Sequence, residues 1–275
     1  MEDSPKILVK LPNKLGDAIM ASSFLDAVKN YYPESQLDVI MAKGITDLKF
    51  FMPEIDHVYE FSKNEYSGLK GNYKFGRMIA RNDQYDLFFC LPFSFSSAIS
   101  GFFSSSKIKI GYNTEGRGFL FNKAYKLPPN LHVVEDYIGL LEQFLGKKIQ
   151  FSPPQLVIKK PIEYPLPGGD YVVLNVRSGP TSRFIPISKA VEIIVALKEK
   201  YPFEIVLTGA PFEKDYINEI EDRVKAEYPV INLAGKTSII ELGWVLKHAK
   251  AMITTDSGNA HFANALGTKT VVLFG

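Results

Sequence analysis

Apolar runs of strand length alternate with segments of helical period along almost the whole chain, and this alternation predicts parallel sheets covered by helices. The first expected strand is Ile7 to Leu11. After the loop Pro12 to Gly16, a helix is expected from about Asp17 to Tyr32, ended by Pro33. Leu37 to Met41, Val58 to Phe61, Tyr85 to Cys90 and Lys107 to Ile110 read as further strands, and Val133 to Phe144 as a helix. The pattern then breaks: Pro153, Pro154, Pro161, Pro165 and Pro167 precede Gly168-Gly169, a window that supports neither a continuous helix nor a central strand. Beyond it the alternation restarts with strands at 171–176, 204–207, 231–233, 251–254 and 270–274. Helices are expected at 188–200, 212–227, 237–248 and 259–266. The reading is an N-terminal domain over 1–152, a linker over 153–169 and a C-terminal domain over 170–275, two Rossmann-like domains facing across a cleft.

Composition narrows the classes. Hydrophobic residues at 46% and charged residues at 23% describe a globular chain rather than a disordered one. With 32 Lys and Arg against 30 Asp and Glu, the net charge of +2 gives no case for a nucleic-acid partner, so any anion must be held by a local site. The single cysteine, Cys90, allows no intramolecular disulfide and no cysteine-built metal cluster, and fits a reducing compartment. The acidic start, Met1-Glu2-Asp3, runs straight into a strand and has no signal-peptide pattern. The most apolar stretch, Leu87 to Phe103, is interrupted by Pro92 and several serines, which makes it a poor transmembrane span. Lys107 and Lys109 follow it, as in a membrane-surface patch; the plainer reading is a buried strand followed by a packed helix.

Candidate chemistry lies where strands feed helices. The loop Lys10 to Gly16 has one glycine and lacks the G-x-G-x-x-G fingerprint, which disfavours a dinucleotide oxidoreductase. It delivers Asp17, either as the helix N-cap or as a carboxylate that deprotonates a sugar hydroxyl. The densest signal is Thr255-Asp256-Ser257-Gly258-Asn259-Ala260-His261 between a strand and a helix. Gly258 allows close approach to the backbone, Ser257 supplies a hydroxyl, and the amides that open the helix are a natural seat for a diphosphate. Taken singly, Asp256 also reads as an N-cap and His261 as a satisfied core histidine. Arg177 and Arg183 occupy the loop after strand 171–176, where guanidinium groups match phosphate oxygens; the alternative is solvated surface arginine.

Ala234-Gly235-Lys236-Thr237-Ser238 looks like the tail of a P-loop, but Val230 stands where the Walker spacing needs glycine. Ser238 and Glu241 have capping-box spacing, which accounts for both without a ligand; Lys236 on a phosphate and Glu241 on a ribose hydroxyl are the functional alternatives. The chain contains no Asp-x-Asp pair to hold a divalent ion on a nucleotide diphosphate.

The string Asp256-Ser257-Gly258-x-x-His261-x-Ala263-x-Ala265-x-Gly267, ending in Leu273-Phe274-Gly275, resembles the C-terminal motif of the heptosyltransferases of glycosyltransferase family nine. Leu15-Gly16-Asp17 and Leu233-Ala234-Gly235-Lys236-Thr237 are also similar to family segments. So is Arg183-Phe184-Ile185-Pro186, with arginine where lysine is frequent. The resemblance implies a GT-B fold and inverting, metal-free transfer from ADP-heptose to a heptose or Kdo of the lipopolysaccharide core, with no cofactor. It further implies a cytoplasmic enzyme working at the inner membrane surface without spanning it. On this reading Asp17 takes the acceptor proton. Arg177, Arg183, Lys236, Ser257 and the turn from Gly258 through Asn259 and Ala260 to His261 stabilise the departing ADP, with Glu241 and Asp256 on the nucleoside side. Family members run on past the Leu-Phe-Gly strand, so the second domain is expected to be truncated here. Two rival readings stand beside this one: a same-fold enzyme on another nucleotide sugar, such as an epimerase, and a non-catalytic nucleotide-sugar-binding module.

Overall fold

A computed structural model of the chain describes residues 4–177 and 184–274. The chain packs as two compact units, Met1–Val157 and Ile158–Gly275. In the first, β1 (Lys6–Lys10), β2 (Gln36–Ala42), β3 (His57–Phe61), β4 (Tyr85–Cys90), β5 (Ser106–Tyr112) and β6 (Lys123–Tyr125) form one sheet in the order β3-β2-β1-β4-β5-β6. All its pairings are parallel, with Val9 between Val39 and Phe89. Helices cover both faces: α1 (Leu15–Met20), α2 (Ser22–Tyr31), α3 (Gly68–Asn82), α4 (Phe95–Phe102) and α5 (Val133–Leu145). Ile7, Leu8 and Val9 are all fully buried, which is why β1 reads as a continuous apolar run rather than an alternating one.

Three features of the first unit depart from expectation, one of them the short edge strand β6, which no apolar run announces. The first helix starts at Leu15, because its first hydrogen bond runs from the Ala18 amide to the Lys14 carbonyl, and it is interrupted at Ala21. Asp17 is therefore the third helical residue. The long helix α3 was not anticipated. Its glycines disguise it, and packing explains them: a Cβ on Gly76 would stand 2.4 Å from the Ser100 carbonyl oxygen of α4, and one on Gly71 2.1 Å from the Tyr66 carbonyl carbon. Helix propensity is given up for close approach.

Residues 151–170 form neither helix nor strand. The second unit contains β7 (Tyr171–Asn175), β8 (Glu204–Leu207), β9 (Ile231–Asn232), β10 (Ala251–Thr255) and β11 (Thr270–Leu273), a parallel sheet in the order β11-β10-β7-β8-β9. Its helices are α6 (Ile187–Lys200), α7 (Lys214–Val224), α8 (Ile239–His248) and α9 (Gly258–Ala265). The expected helix at 212–227 is shorter, opening as a 3-10 turn at Pro211–Glu213 and ending at Val224. Each sheet winds outward from its central strand, β1 or β7, first to one side and then to the other. The carboxyl ends of β1 with β4, and of β7 with β10, are thus the crevices where doubly wound sheets receive ligands.

Candidate functional site

In the second unit the crevice is built by a buried polar chain. Asn175, fully buried at the end of β7, donates through Nδ2 to the Thr208 carbonyl (2.9 Å) and accepts through Oδ1 from Thr254 Oγ1 (3.2 Å). The Thr254 hydroxyl also lies 3.2 Å from Ser257 Oγ, which accepts the Ala260 amide at 3.2 Å and so caps α9. Three side chains on separate elements thereby hold the opening turn of α9 against the central strand. Ser257, not Asp256, is the N-cap, and its oxygen accepts from the third amide of the helix.

The Ala260 amide is engaged by that cap, whereas the amides that open the helix have no carbonyl of their own turn to meet. No acidic residue stands in the first turn of α9, so its positive end is not neutralised from within. His261 is half-buried, and its ring has no hydrogen-bond partner among the described residues.

Beside this turn is a cavity of about 540 Å³ at the carboxyl ends of β10 and β11, reached by the start of α6. Thr255, Asp256, Phe184 and Lys189 are among its walls. Thr255 is buried there, its hydroxyl without a partner among the described residues. Arg177, two residues beyond β7, is half-buried rather than solvated. Its guanidinium carbon lies 4.2 Å from the Phe184 ring centroid and 5.3 Å from that of Tyr216, and its Nε is buried without a partner among the described residues. It forms no ion pair among the described residues; the nearby Glu213 carboxyl, pushed up by burial, accepts the Ala210 amide instead.

Other predicted positions lie further along the sheet. Lys236 and Glu241 follow β9, two strands from β7, or about 10 Å at ordinary strand spacing. Lys236 is exposed and its ammonium donates to the Asn232 carbonyl at 2.9 Å. Glu241 and Ser238 form the expected capping box, with the Ser238 amide 2.7 Å from Glu241 Oε2. Arg183 lies outside the described residues.

In the first unit Asp17 is half-buried in the first turn of α1, and its carboxylate has no hydrogen bond or ion pair among the described residues. The N-cap reading fails, since Lys14 holds that position and no side chain caps the helix. The Asp17 charge, after burial, helps raise the Tyr137 hydroxyl well above its ordinary range. Lys10, at the carboxyl end of β1, was given no role from sequence. It is 2% exposed, donates to Asn13 Oδ1 at 3.0 Å, and burial lowers its pKa to about 8. With Asn13, Ser94 and Ser97 it lines a second cavity of about 170 Å³. The available signal was a lysine closing a central strand whose neighbours are all apolar.

Comparison with known proteins decides the family. The model of glycosyltransferase family 9 (heptosyltransferase) matches residues 73–275, well over half of the chain. The chain belongs to glycosyltransferase family 9. It is 28% identical to lipopolysaccharide heptosyltransferase 3 of Escherichia coli over 94% of its own length and 80% of that protein's. Its fold superposes on E. coli ADP-heptose lps heptosyltransferase II with a TM-score of 0.82 at 25% identity, covering 98% of this chain and 85% of that one. E. coli heptosyltransferase WaaC with ADP-2-deoxy-2-fluoro heptose gives the same TM-score of 0.82 at 19% identity, covering 98% and 89%. This family 9 chain is thus a glycosyltransferase of the GT-B fold class, with its two parallel sheets in the expected α/β arrangement.

Proposed function

We propose that this glycosyltransferase moves heptose from ADP-heptose to an acceptor sugar of the lipopolysaccharide core, with inversion and without a metal ion. The observation that carries the reading is the turn Thr255–His261, held on β7 by the Asn175–Thr254–Ser257 chain beside a cavity of about 540 Å³. A diphosphate at the opening amides of α9 gains their hydrogen bonds and the field of the helix end, worth typically 0.3–1 kcal/mol and up to ~2 when partly buried. Arg177 offers a second positive group, already oriented by two aromatic rings. Lys236 and Arg183 complete the proposed phosphate set, and Glu241 and Asp256 the nucleoside side. The names of the heptosyltransferase relatives support heptose as the sugar and ADP as the carrier.

In the proposed step the acceptor hydroxyl attacks the anomeric carbon opposite the diphosphate. The new carbon–oxygen bond forms as the bond to phosphate oxygen breaks, ADP leaves with the electron pair, and Asp17 takes the hydroxyl proton. The unengaged carboxylate of Asp17 suits that role better than capping. Charge developing on ADP is where preorganised amides and arginine act most strongly.

The test is a pair of variants assayed with ADP-heptose. Asp17→Asn should lower transfer by roughly 10²–10⁴-fold while donor Kd stays within a few-fold. Arg177→Ala should weaken donor binding instead. Near-normal turnover in Asp17→Asn removes the base assignment, and tighter binding of UDP- or GDP-sugars than of ADP-heptose removes the donor. Turnover unchanged by EDTA is expected, and a retained anomeric configuration by NMR refutes inversion.

A further inference from the structure

Helix α3 carries Lys70, Lys74, Arg77 and Arg81 and no acidic residue. Their spacing of four, three and four places them along one face. All are exposed, and none is in an ion pair among the described residues. A stripe of like charge repels itself modestly and attracts an external partner of opposite sign.

Next to the stripe is an apolar surface assembled from three elements. Leu69 (63% exposed) and Tyr73 (46%) come from α3, Phe102 (40%) from the end of α4, and Phe119 (73%) from the short turn Arg117–Leu120. They line an open groove of about 440 Å³ with Lys70 among its walls. Lys109 Nζ adds a further cation, 5.9 Å from the Phe102 ring centroid. Single exposed apolar residues are ordinary on a protein surface; four large ones on one groove, edged by cations, are not. The groove persists because Gly76 lets α3 and α4 approach closely, which fixes the two helices as one platform.

We propose that this α3–α4 face docks on an anionic phospholipid bilayer. Leu69, Tyr73, Phe102 and Phe119 enter the boundary between headgroups and acyl chains, and Lys70, Lys74, Arg77 and Arg81 meet lipid phosphates. The combination of aromatic and aliphatic groups with a basic flank is the one that partitions to charged membrane surfaces, where each cation adds its own increment. The inference goes beyond the donor and acceptor reading and does not depend on which sugar is moved.

The test is co-sedimentation of the full chain with vesicles of phosphatidylethanolamine and phosphatidylglycerol, against vesicles of phosphatidylcholine. Binding should require the anionic lipid and weaken at high salt. The triple variant Lys70→Gln, Lys74→Gln, Arg77→Gln should lower partitioning on the order of 100-fold. Leu69→Ser with Phe119→Ser should lower it about tenfold or more, although every cation is retained. Lys225→Gln, an exposed cation of the second unit, should change nothing. Circular dichroism of each variant should match that of the parent, which separates lost binding from lost folding. Equal binding to phosphatidylcholine, or full binding by both sets of variants, overturns the proposal. So does concentration-dependent self-association that the same variants abolish, which assigns the face to a second copy of the chain. Transfer to a detergent-free soluble acceptor should be untouched in all these variants, so failure here is distinct from failure of the proposed reaction.

Discussion

Lys10 offers a quantitative check on the electrostatics of the first unit. The residue is 2% exposed, its amine makes one hydrogen bond among the described residues, to Asn13, and burial lowers its pKa from 10.5 to about 8. The unfolded amine keeps its proton up to 10.5 and the folded one only to about 8. Between those values the unfolded chain binds more protons and stability rises with pH. A gap of this size costs the folded chain about 3 kcal/mol at about pH 7, and about 1 kcal/mol at about pH 9.5, where most of the buried amine is already neutral.

Lys10→Met keeps the apolar stem and removes the charge. Losing the bond to the exposed Asn13 gives back about 1 kcal/mol. The variant should therefore be more stable than the parent by about 2 kcal/mol at about pH 7, and the advantage should shrink by about the same amount at about pH 9.5. Urea unfolding followed by far-UV circular dichroism measures both values. The fluorescence of Trp244, the single tryptophan, follows the second unit alongside. Taking the difference between variant and parent at each pH cancels the titration of all other groups. A variant that is less stable at neutral pH, or whose advantage does not change with pH, refutes the reasoning.

Three further outcomes follow from the packing. Thr254→Val should destabilise the second unit by about 1–3 kcal/mol, because Asn175 Oδ1 loses its donor in a fully buried place, and should weaken donor binding several-fold by calorimetry; unchanged donor affinity would show that the turn holds its shape without the chain. Gly76→Ala should cost about 1–3 kcal/mol despite its better helix propensity, since the added methyl meets the Ser100 carbonyl; a gain in thermal midpoint would contradict the close approach. Tyr85→Phe should also destabilise by about 1–3 kcal/mol, because the fully buried Asp38 loses a 2.6 Å bond and keeps only Gln36 as a side-chain donor; equal urea midpoints would show that this bond adds nothing.

The central strands were legible because both faces of each sheet are covered, so that Ile7-Leu8-Val9 or Tyr171-Val172-Val173-Leu174 stands out as an uninterrupted apolar run, whereas the exposed edge strand Lys123–Tyr125 has no such run and was not expected. Helix starts were less legible. Asp17 and Asp256 are both good capping residues, yet neither caps: at α1 helical bonding begins three residues earlier, and at α9 Ser257 is the residue whose oxygen reaches the amide. Which of two adjacent polar residues caps depends on backbone dihedrals that composition does not fix. Helix α3 was hidden because its glycines answer to packing rather than to helix propensity, Gly71 to the Tyr66 backbone just before the helix and Gly76 to the sequence-distant α4. Lys10 was overlooked for the same reason. Its burial is a property of the sheet, whereas the motif Asp256-Ser257-Gly258 is contiguous and carries its chemistry locally.

The two crevices share a strand order but differ in electrostatic character, and the difference bears on where an anion can sit. In the first unit the helix that follows the central strand has Asp17 in its opening turn, so its positive end is already answered by a carboxylate. That helix is also only six residues long before the interruption at Ala21, which limits its field. In the second unit α9 has no acid in its first turn, a neutral serine as cap, and a buried neutral chain of Asn175 and Thr254 behind it. None of these groups opposes the helix end with a negative charge, and Arg177 adds to its sign. A diphosphate brought to the first crevice would meet a carboxylate inside the helix turn, whereas at the second it would meet open amides and a cation, with the Asp256 carboxylate standing before the cap rather than in the helix. On the proposed reading, one first-turn residue in each unit separates the two roles: Asp17 in α1, and Asn259 rather than an acid in α9.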